Sequence, residues 1–275
     1  MKPRVLFLFL LLALAGCGAP APAEPEAQEP PAASLPALTP LYELSAPAAV
    51  TEGREPAEEL ELPSVPVNLD DPALESLSFP ALLTELPEAD AALYALGDET
   101  VLLQWDGCTA EFDWPYLTPR RIPPRLACLD IDGDKEDELA VSCYTGSGTS
   151  VSIWTLHIIE KNPDGALTDY ALPDALWQEQ VPTLLGAAEV EGRCFLLLGR
   201  ELVEIDSEAP HLDMDEPPSA GSVASFEFLE ANRMRLSGVV NMSSGYPCYI
   251  AGWSAELQYQ NGIFTLRDFH LDSTD

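Results

Sequence analysis

The run Tyr249-Ile-Ala-Gly-Trp-Ser-Ala-Glu-Leu-Gln-Tyr-Gln-Asn-Gly-Ile-Phe-Thr-Leu-Arg-Asp-Phe-His-Leu271 reads as two strands joined by a two-residue turn. Tyr249, Ala251, Trp253, Ala255, Leu257 and Tyr259 recur at period two, which puts them on one face of a strand and makes that face the buried one. Asn261-Gly262 supplies the two positive φ angles of a type I′ turn at low cost, so Ile263 to Leu271 returns antiparallel.

The same grammar extends back along the chain. Short apolar or alternating runs, each bounded by turn residues, predict strands at Ala92–Leu96, Val101–Trp105, Cys108–Asp113, Arg125–Leu129, Glu138–Tyr144 and Val151–Lys161. Further strands are predicted at Leu167–Tyr170, Leu184–Val190, Cys194–Leu198, Glu201–Ile205, Ser225–Leu229 and Arg233–Met242. No long 3.6-residue periodicity interrupts them; one helical turn is expected around Asp174 to Gln180 with Asp174 as N-cap, and Pro72 to Glu88 reads as a short helix or turns. The fold class is therefore mainly β. Its antiparallel meanders are compatible with a propeller-like arrangement or an open β-sandwich, since no blade signature recurs. The globular domain is expected over residues 67–275.

The N-terminal part reads differently. Lys2 and Arg4 precede an apolar run from Val5 to Leu14, shorter than the roughly 20 residues of a membrane-spanning helix, and small residues follow. The sequence Leu14-Ala15-Gly16-Cys17 resembles the lipobox of bacterial lipoproteins. That resemblance implies a signal peptide over residues 1–16 and a diacylglyceryl group on Cys17, hence a cell-membrane anchor facing outside the cytoplasm; two acyl chains suffice for stable attachment. Residues 17–66, dominated by Pro, Ala and Glu, read as a disordered spacer, with Leu38–Leu44 and Leu60–Val67 as possible short edge pieces.

With 46 Asp and Glu against 13 Lys and Arg, the chain carries a formal charge of −33. Such a surface repels phosphates and anionic headgroups, and the nearest approach to a basic cluster is Arg120-Arg121 with Arg125, so nucleic acid is excluded as a partner.

The chemically specific segment is Leu129-Asp-Ile-Asp-Gly-Asp-Lys-Glu-Asp-Glu-Leu-Ala-Val141. Alternating carboxylates around a glycine place hard oxygens about one point, a donor set suited to Ca²⁺. An EF-hand would continue into a helix and end on a glutamate twelfth in the loop, where Val141 stands on a predicted strand. The loop is similar instead to the calcium loops of FG-GAP and VCBS repeats. By that resemblance Asp130, Asp132, Asp134 and Glu138 supply side-chain ligands and Glu136 its backbone carbonyl, with the Ca²⁺ structural. Lys135 departs from the glycine usual in those repeats, and Glu138 from the commoner Asp. The competing account is a solvated acidic turn. Downstream, Tyr144-Thr-Gly-Ser-Gly-Thr-Ser150 reads as a hairpin loop. With the Asp loop and Phe112–Arg120 it resembles uncharacterised bacterial extracellular domains, a likeness that implies no activity.

Besides Cys17, five cysteines remain, an odd number with no Cys-x-x-Cys spacing; a Cys128–Cys143 disulfide and buried thiols are both compatible with the pattern. The three histidines form no catalytic or zinc motif. His157 lies in an apolar strand and reads as packed, and His211-Leu-Asp213-Met-Asp215-Glu216 as an exposed acidic loop between prolines. Tyr246, Tyr249, Trp253 and Tyr259 invite a sugar-stacking reading, against which the period-two spacing from Tyr249 to Tyr259 argues for burial. The expected function is a lipid-anchored extracytoplasmic binding or interaction protein with an unidentified protein or glycan ligand and no enzymatic motif. The alternatives are a cell-wall or glycan hydrolase and an envelope sensory or regulatory domain.

Overall fold

The computed structural model describes residues 42–57, 60–71, 76–229, 232–243 and 246–273. In chain order the strands are β1 (Leu44–Pro47), β2 (Ala49–Glu52), β3 (Ala81–Leu86), β4 (Ala91–Ala95), β5 (Val101–Trp105), β6 (Cys108–Phe112), β7 (Arg125–Leu129), β8 (Glu138–Gly148) and β9 (Val151–Lys161). There follow β10 (Leu167–Ala171), β11 (Leu185–Val190), β12 (Arg193–Leu198), β13 (Glu201–Ile205), β14 (Ser219–Leu229), β15 (Arg233–Asn241), β16 (Tyr249–Gln260) and β17 (Ile263–Ser273). The protein is mainly β, its sheets are antiparallel but for one short parallel contact, and no barrel closes among the described residues.

The C-terminal hairpin forms as its sequence dictates. Asn261 and Gly262 have φ of 51° and 74°, and Gln260 pairs with Ile263 across the turn. Ala251, Trp253, Ala255, Leu257 and Tyr259 are buried on one face. β14 to β17 run as a meander, and β14 then meets the start of β9 in parallel through Val223 and Ala224.

β9 is the hub. One edge carries β8 along nearly its whole length; the other is shared end to end by β14, at Ser152 and Ile153, and β10, from His157 to Lys161. Alternation along β8 and β9 serves two cores. Ala140, Tyr144, Trp154, Leu156 and Ile158 face a large core closed by β14–β17, the separate β11–β13 sheet and a buried helical turn carrying Leu176 and Trp177. Leu139, Val141, Cys143 and Ile159 face a smaller core against the four-stranded sheet β3–β6, with Leu103, Trp105, Phe112 and Trp114. The molecule thus has the sandwich-and-meander organisation and gathers most strands into one ten-stranded sheet instead of blades.

Three parts of the sequence reading are corrected. Residues 17–66 are not spacer throughout: β1 lies on β17, β2 lies on β10, and only Ala48 separates them, so the domain begins well before residue 67. These strands were illegible because they are four residues long and lack alternation; they are held by backbone pairing, with Ala46 their one buried side chain. Residues 81–86 form a strand, β3, where a helix or turns was expected, and among the described residues of Pro72–Glu88 helical geometry is limited to the start of a single turn at Pro87–Ala89. The Gly-Ser-Gly segment belongs to β8, which leaves Thr149 and Ser150 as the turn.

Two smaller expectations also shift. Asp174 makes no side-chain cap; its backbone carbonyl accepts from the Trp177 and Gln178 N–H groups of a π-helical turn at Leu176–Gln180. Cys128 sits opposite Leu139, which leaves Cys143 four residues or roughly 13 Å further along β8, beyond the ~4.4–6.8 Å between Cα atoms of a disulfide. All five cysteines in the described residues are free thiols.

After β2 the chain reaches a third element, since Arg54 exchanges both backbone hydrogen bonds with Glu111 of β6. Gly53 makes that step possible. A Cβ there would lie 2.5 Å from the Ala110 Cβ and 2.9 Å from both the Leu167 carbonyl oxygen and the Phe112 ring. Gly53→Ala is expected to cost about 1–3 kcal/mol through overpacking. Gly97→Ala, where a Cβ meets nothing within 4 Å, should stay within about 0.5 kcal/mol of wild type. Urea denaturation of the two variants checks this, and equal midpoints would contradict it.

Candidate metal centre

The acidic loop spans residues 130–137, between the last residue of β7 and the first of β8. Leu129 and Glu138 are a register pair, so the sheet itself fixes both ends. Within the loop the aspartates fold the backbone around themselves: Asp130 Oδ1 accepts from Gly133 N at 2.8 Å, Asp132 Oδ1 from Asp134 N at 3.0 Å and Asp134 Oδ1 from Glu136 N at 2.8 Å. The last two are Asx turns, in which an aspartate side chain accepts from the backbone two residues on, and they suit aspartate at every second position. Gly133 and Lys135 both take left-handed φ, 84° and 82°. The position at which the sequence departs from glycine is therefore one at which glycine is favoured.

Of the predicted residues, the structure brings together Asp130, Asp132 and Glu138, one carboxylate oxygen of each lying within 4.8 Å of the others. Oxygens bound to one Ca²⁺ at roughly 2.3–2.6 Å are separated by up to about twice that distance, so this spacing fits a shared hard cation. Asp134 is exposed and outside the converging group, its Oδ1 turned to the Glu136 N–H. Glu136, assigned a backbone carbonyl, is likewise exposed. Cys17 lies outside the described residues, as do residues 1–16.

Glu138 is the unusual member. It is 5% exposed, and its Oε2 accepts from Ile131 N at 2.7 Å. Burial pushes its pKa up to about 7, and the Asp132 and Asp134 carboxylates push the same way, against the backbone N–H groups of Ile131 and Asp132. A cation shared by the three carboxylates would relieve that repulsion.

The loop forms one wall of an open cleft of about 1220 Å³. Asp90, Asp106 and Glu160 line the cleft together with Asp132, Asp134 and Glu136. Lys161 reaches into the cleft from β9, paired with Asp106 and with its ammonium 5.7 Å from the Trp105 ring centroid. Tyr259 donates its hydroxyl to Glu160, and burial together with that carboxylate raises its pKa.

The remaining singled-out residues lie elsewhere. His157 is packed as expected, and its partner was not foreseen: Nδ1 lies 2.9 Å from Oδ2 of buried Asp169, which also accepts from Trp114 Nε1 at 2.9 Å, while the Trp114 ring stacks on the imidazole at 4.2 Å. The one sequence signal for this cluster is an acid in the middle of the short strand Leu167–Ala171. His211 stacks loosely on exposed Tyr246, with no converging ligand group around Asp213 and Asp215 among the described residues. Trp253 and Tyr259 are 2% exposed, so the C-terminal aromatics present no row of open rings.

No family model matches the chain, nor does any curated protein or solved structure. The functional reading therefore rests on the residues and their geometry.

Two outcomes are expected in chelator. Lys135→Gly should stabilise the chain by about 1 kcal/mol, the left-handed strain relieved less the added freedom of the unfolded chain; an unchanged denaturation midpoint would contradict the backbone assignment. The folded-state pKa of Glu138 is raised, so its stabilising contribution is complete below the unfolded value near 4.5 and is lost as pH rises through about 7. Melts at pH 5 and pH 7.5 should show wild type losing stability relative to Glu138→Gln, whose amide does not titrate.

Proposed function

We propose that the protein is a lipid-anchored, extracytoplasmic binding or interaction protein whose β domain is ordered by a structural Ca²⁺. The observation that carries the calcium reading is the convergence of three hard carboxylate oxygens, from Asp130, Asp132 and Glu138, at the β7–β8 junction. When bound, the ion supplies charge neutralisation, which lets three acids share one point and ties the loop to Glu138 in the sheet. The address rests on the likeness of Leu14–Cys17 to a lipobox and on the apolar run before it. The absence of basic clusters leaves lipid as the means of attachment.

A hydrolytic reading, directed at cell-wall or glycan substrates, draws on the acid-lined cleft beside the same loop. Paired carboxylates are the machinery of glycoside cleavage. Turnover of peptidoglycan or polysaccharide by the purified protein, abolished by Asp106→Asn or Glu160→Gln in a folded chain, would favour that reading over the binding role.

Calorimetric titration of Ca²⁺ into the chelator-treated chain should give saturable one-site binding and a raised melting temperature. Asp132→Ala should lose both. A folded wild-type chain that takes up no Ca²⁺ at millimolar concentration would reduce the loop to an acidic turn. Cys17→Ala should move the protein from the membrane fraction to the medium, and a wild type already found in the medium would refute the anchor.

A further inference from the structure

A second cleft, of about 400 Å³, is lined by residues from the segment before β3, the β4–β5 turn and the chain after β6, and has no part in the calcium reading. That volume falls in the range of small-molecule sites, roughly 300–1,000 Å³. Leu69, Leu77 and Tyr116 give it an apolar lining, and Phe79 stands at its mouth 42% exposed. Two charged side chains line the same space, Asp98 and Arg121.

Arg121 is the one partly buried cation without a carboxylate partner among the described residues. Arg120, Arg125, Lys135 and Arg200 also lack one but are exposed, whereas Arg54, Lys161, Arg193, Arg233, Arg235 and Arg267 are paired. Neighbouring Arg120 donates to the Tyr144 hydroxyl and the Gly148 carbonyl, both at 3.3 Å. The backbone also holds Arg121 in an unfavourable state. A tight turn closed by Arg121 N–H to the Thr118 carbonyl at 2.8 Å leaves it at φ 55°, a left-handed conformation costly for a long side chain. Strain retained at an unpaired charge is an observation from which function can be inferred.

Across the cleft, Tyr116 donates its hydroxyl to the Gly97 carbonyl at 2.6 Å, fixing the ring beside Asp98. Burial and the Asp98 carboxylate raise that phenol to about 12, so it stays a neutral wall. The cleft therefore offers one guanidinium, one carboxylate and an apolar floor. A simple carboxylate ligand would meet Asp98 and the field of a −33 chain, and a simple amine would leave Arg121 unpaired. A zwitterion satisfies both.

We propose that this cleft binds a free apolar α-amino acid, its carboxylate on Arg121, its ammonium on Asp98 and its side chain against Leu77, Phe79 and Tyr116. Arginine suits the carboxylate because its planar fork donates to both oxygens at once. This assignment goes beyond the calcium-ordered binding role and stands or falls separately from it.

Calorimetry of the full chain with L-phenylalanine and L-leucine tests it, with N-acetylphenylalanine and phenylalanine amide as single-charge controls. One-site binding of at least one free amino acid is expected, weakened about tenfold or more when either charge is blocked. Arg121→Gly removes the guanidinium at a position where glycine relieves strain, so the variant should melt no lower than wild type while losing binding about tenfold or more. Asp98→Asn should weaken the free amino acid and leave the N-acetyl compound unaffected. Absence of heat with all four compounds at millimolar concentration, or equal affinity in wild type and Arg121→Gly, would overturn the proposal.

Discussion

The structure depends on the pairing of β9. This strand has partners along both edges and buried side chains on both faces, so the backbone of Val151–Lys161 must satisfy its hydrogen bonds in the sheet while its side chains serve two cores. Polar backbone in such a position cannot turn to water. The consequence is a fork: β14 and β10 compete for one edge and divide it, and the two prongs of the sheet diverge from that point.

The fork explains why the N-terminal segment is structural. β1 closes the β17 edge of one prong, β2 closes the β10 edge of the other, and Arg54 pairs with β6 of the four-stranded sheet. One stretch of about ten residues thus connects three elements far apart in sequence, using backbone groups almost alone. Backbone pairing is indifferent to side-chain identity, which is how a Pro-, Ala- and Glu-rich stretch can perform it. The tight approach at Gly53 marks where side-chain identity matters.

The acidic loop lies at the end of the same central wall. Glu138 begins β8, and its neighbours Leu139 and Val141 are core residues, so the packing that buries them also buries its carboxylate. Desolvation and nearby aspartates then make the charged form unfavourable. A bound cation would offset the repulsion among these carboxylates, and the adjoining cleft extends the same negative field towards Lys161.

Much of this was legible from residue order. Val101–Trp105, Arg125–Leu129, Val151–Lys161 and Glu201–Ile205 begin and end where apolar runs meet turn residues, and Asn261-Gly262 specifies its hairpin, because these are local properties of side chain and backbone. The acidic loop was legible for the same reason: Asx turns are made within two residues. Tertiary structure alone decided what depends on distant partners. The strands of residues 44–52 exist because β17 and β10 present open edges. Asp169 is buried because His157 and Trp114 meet it, and Arg121 and Asp98 share a cleft although 22 positions in the chain separate them. Local sequence sets which pieces can form; which charges end up facing one another is settled only when non-local pairing brings the sheets together.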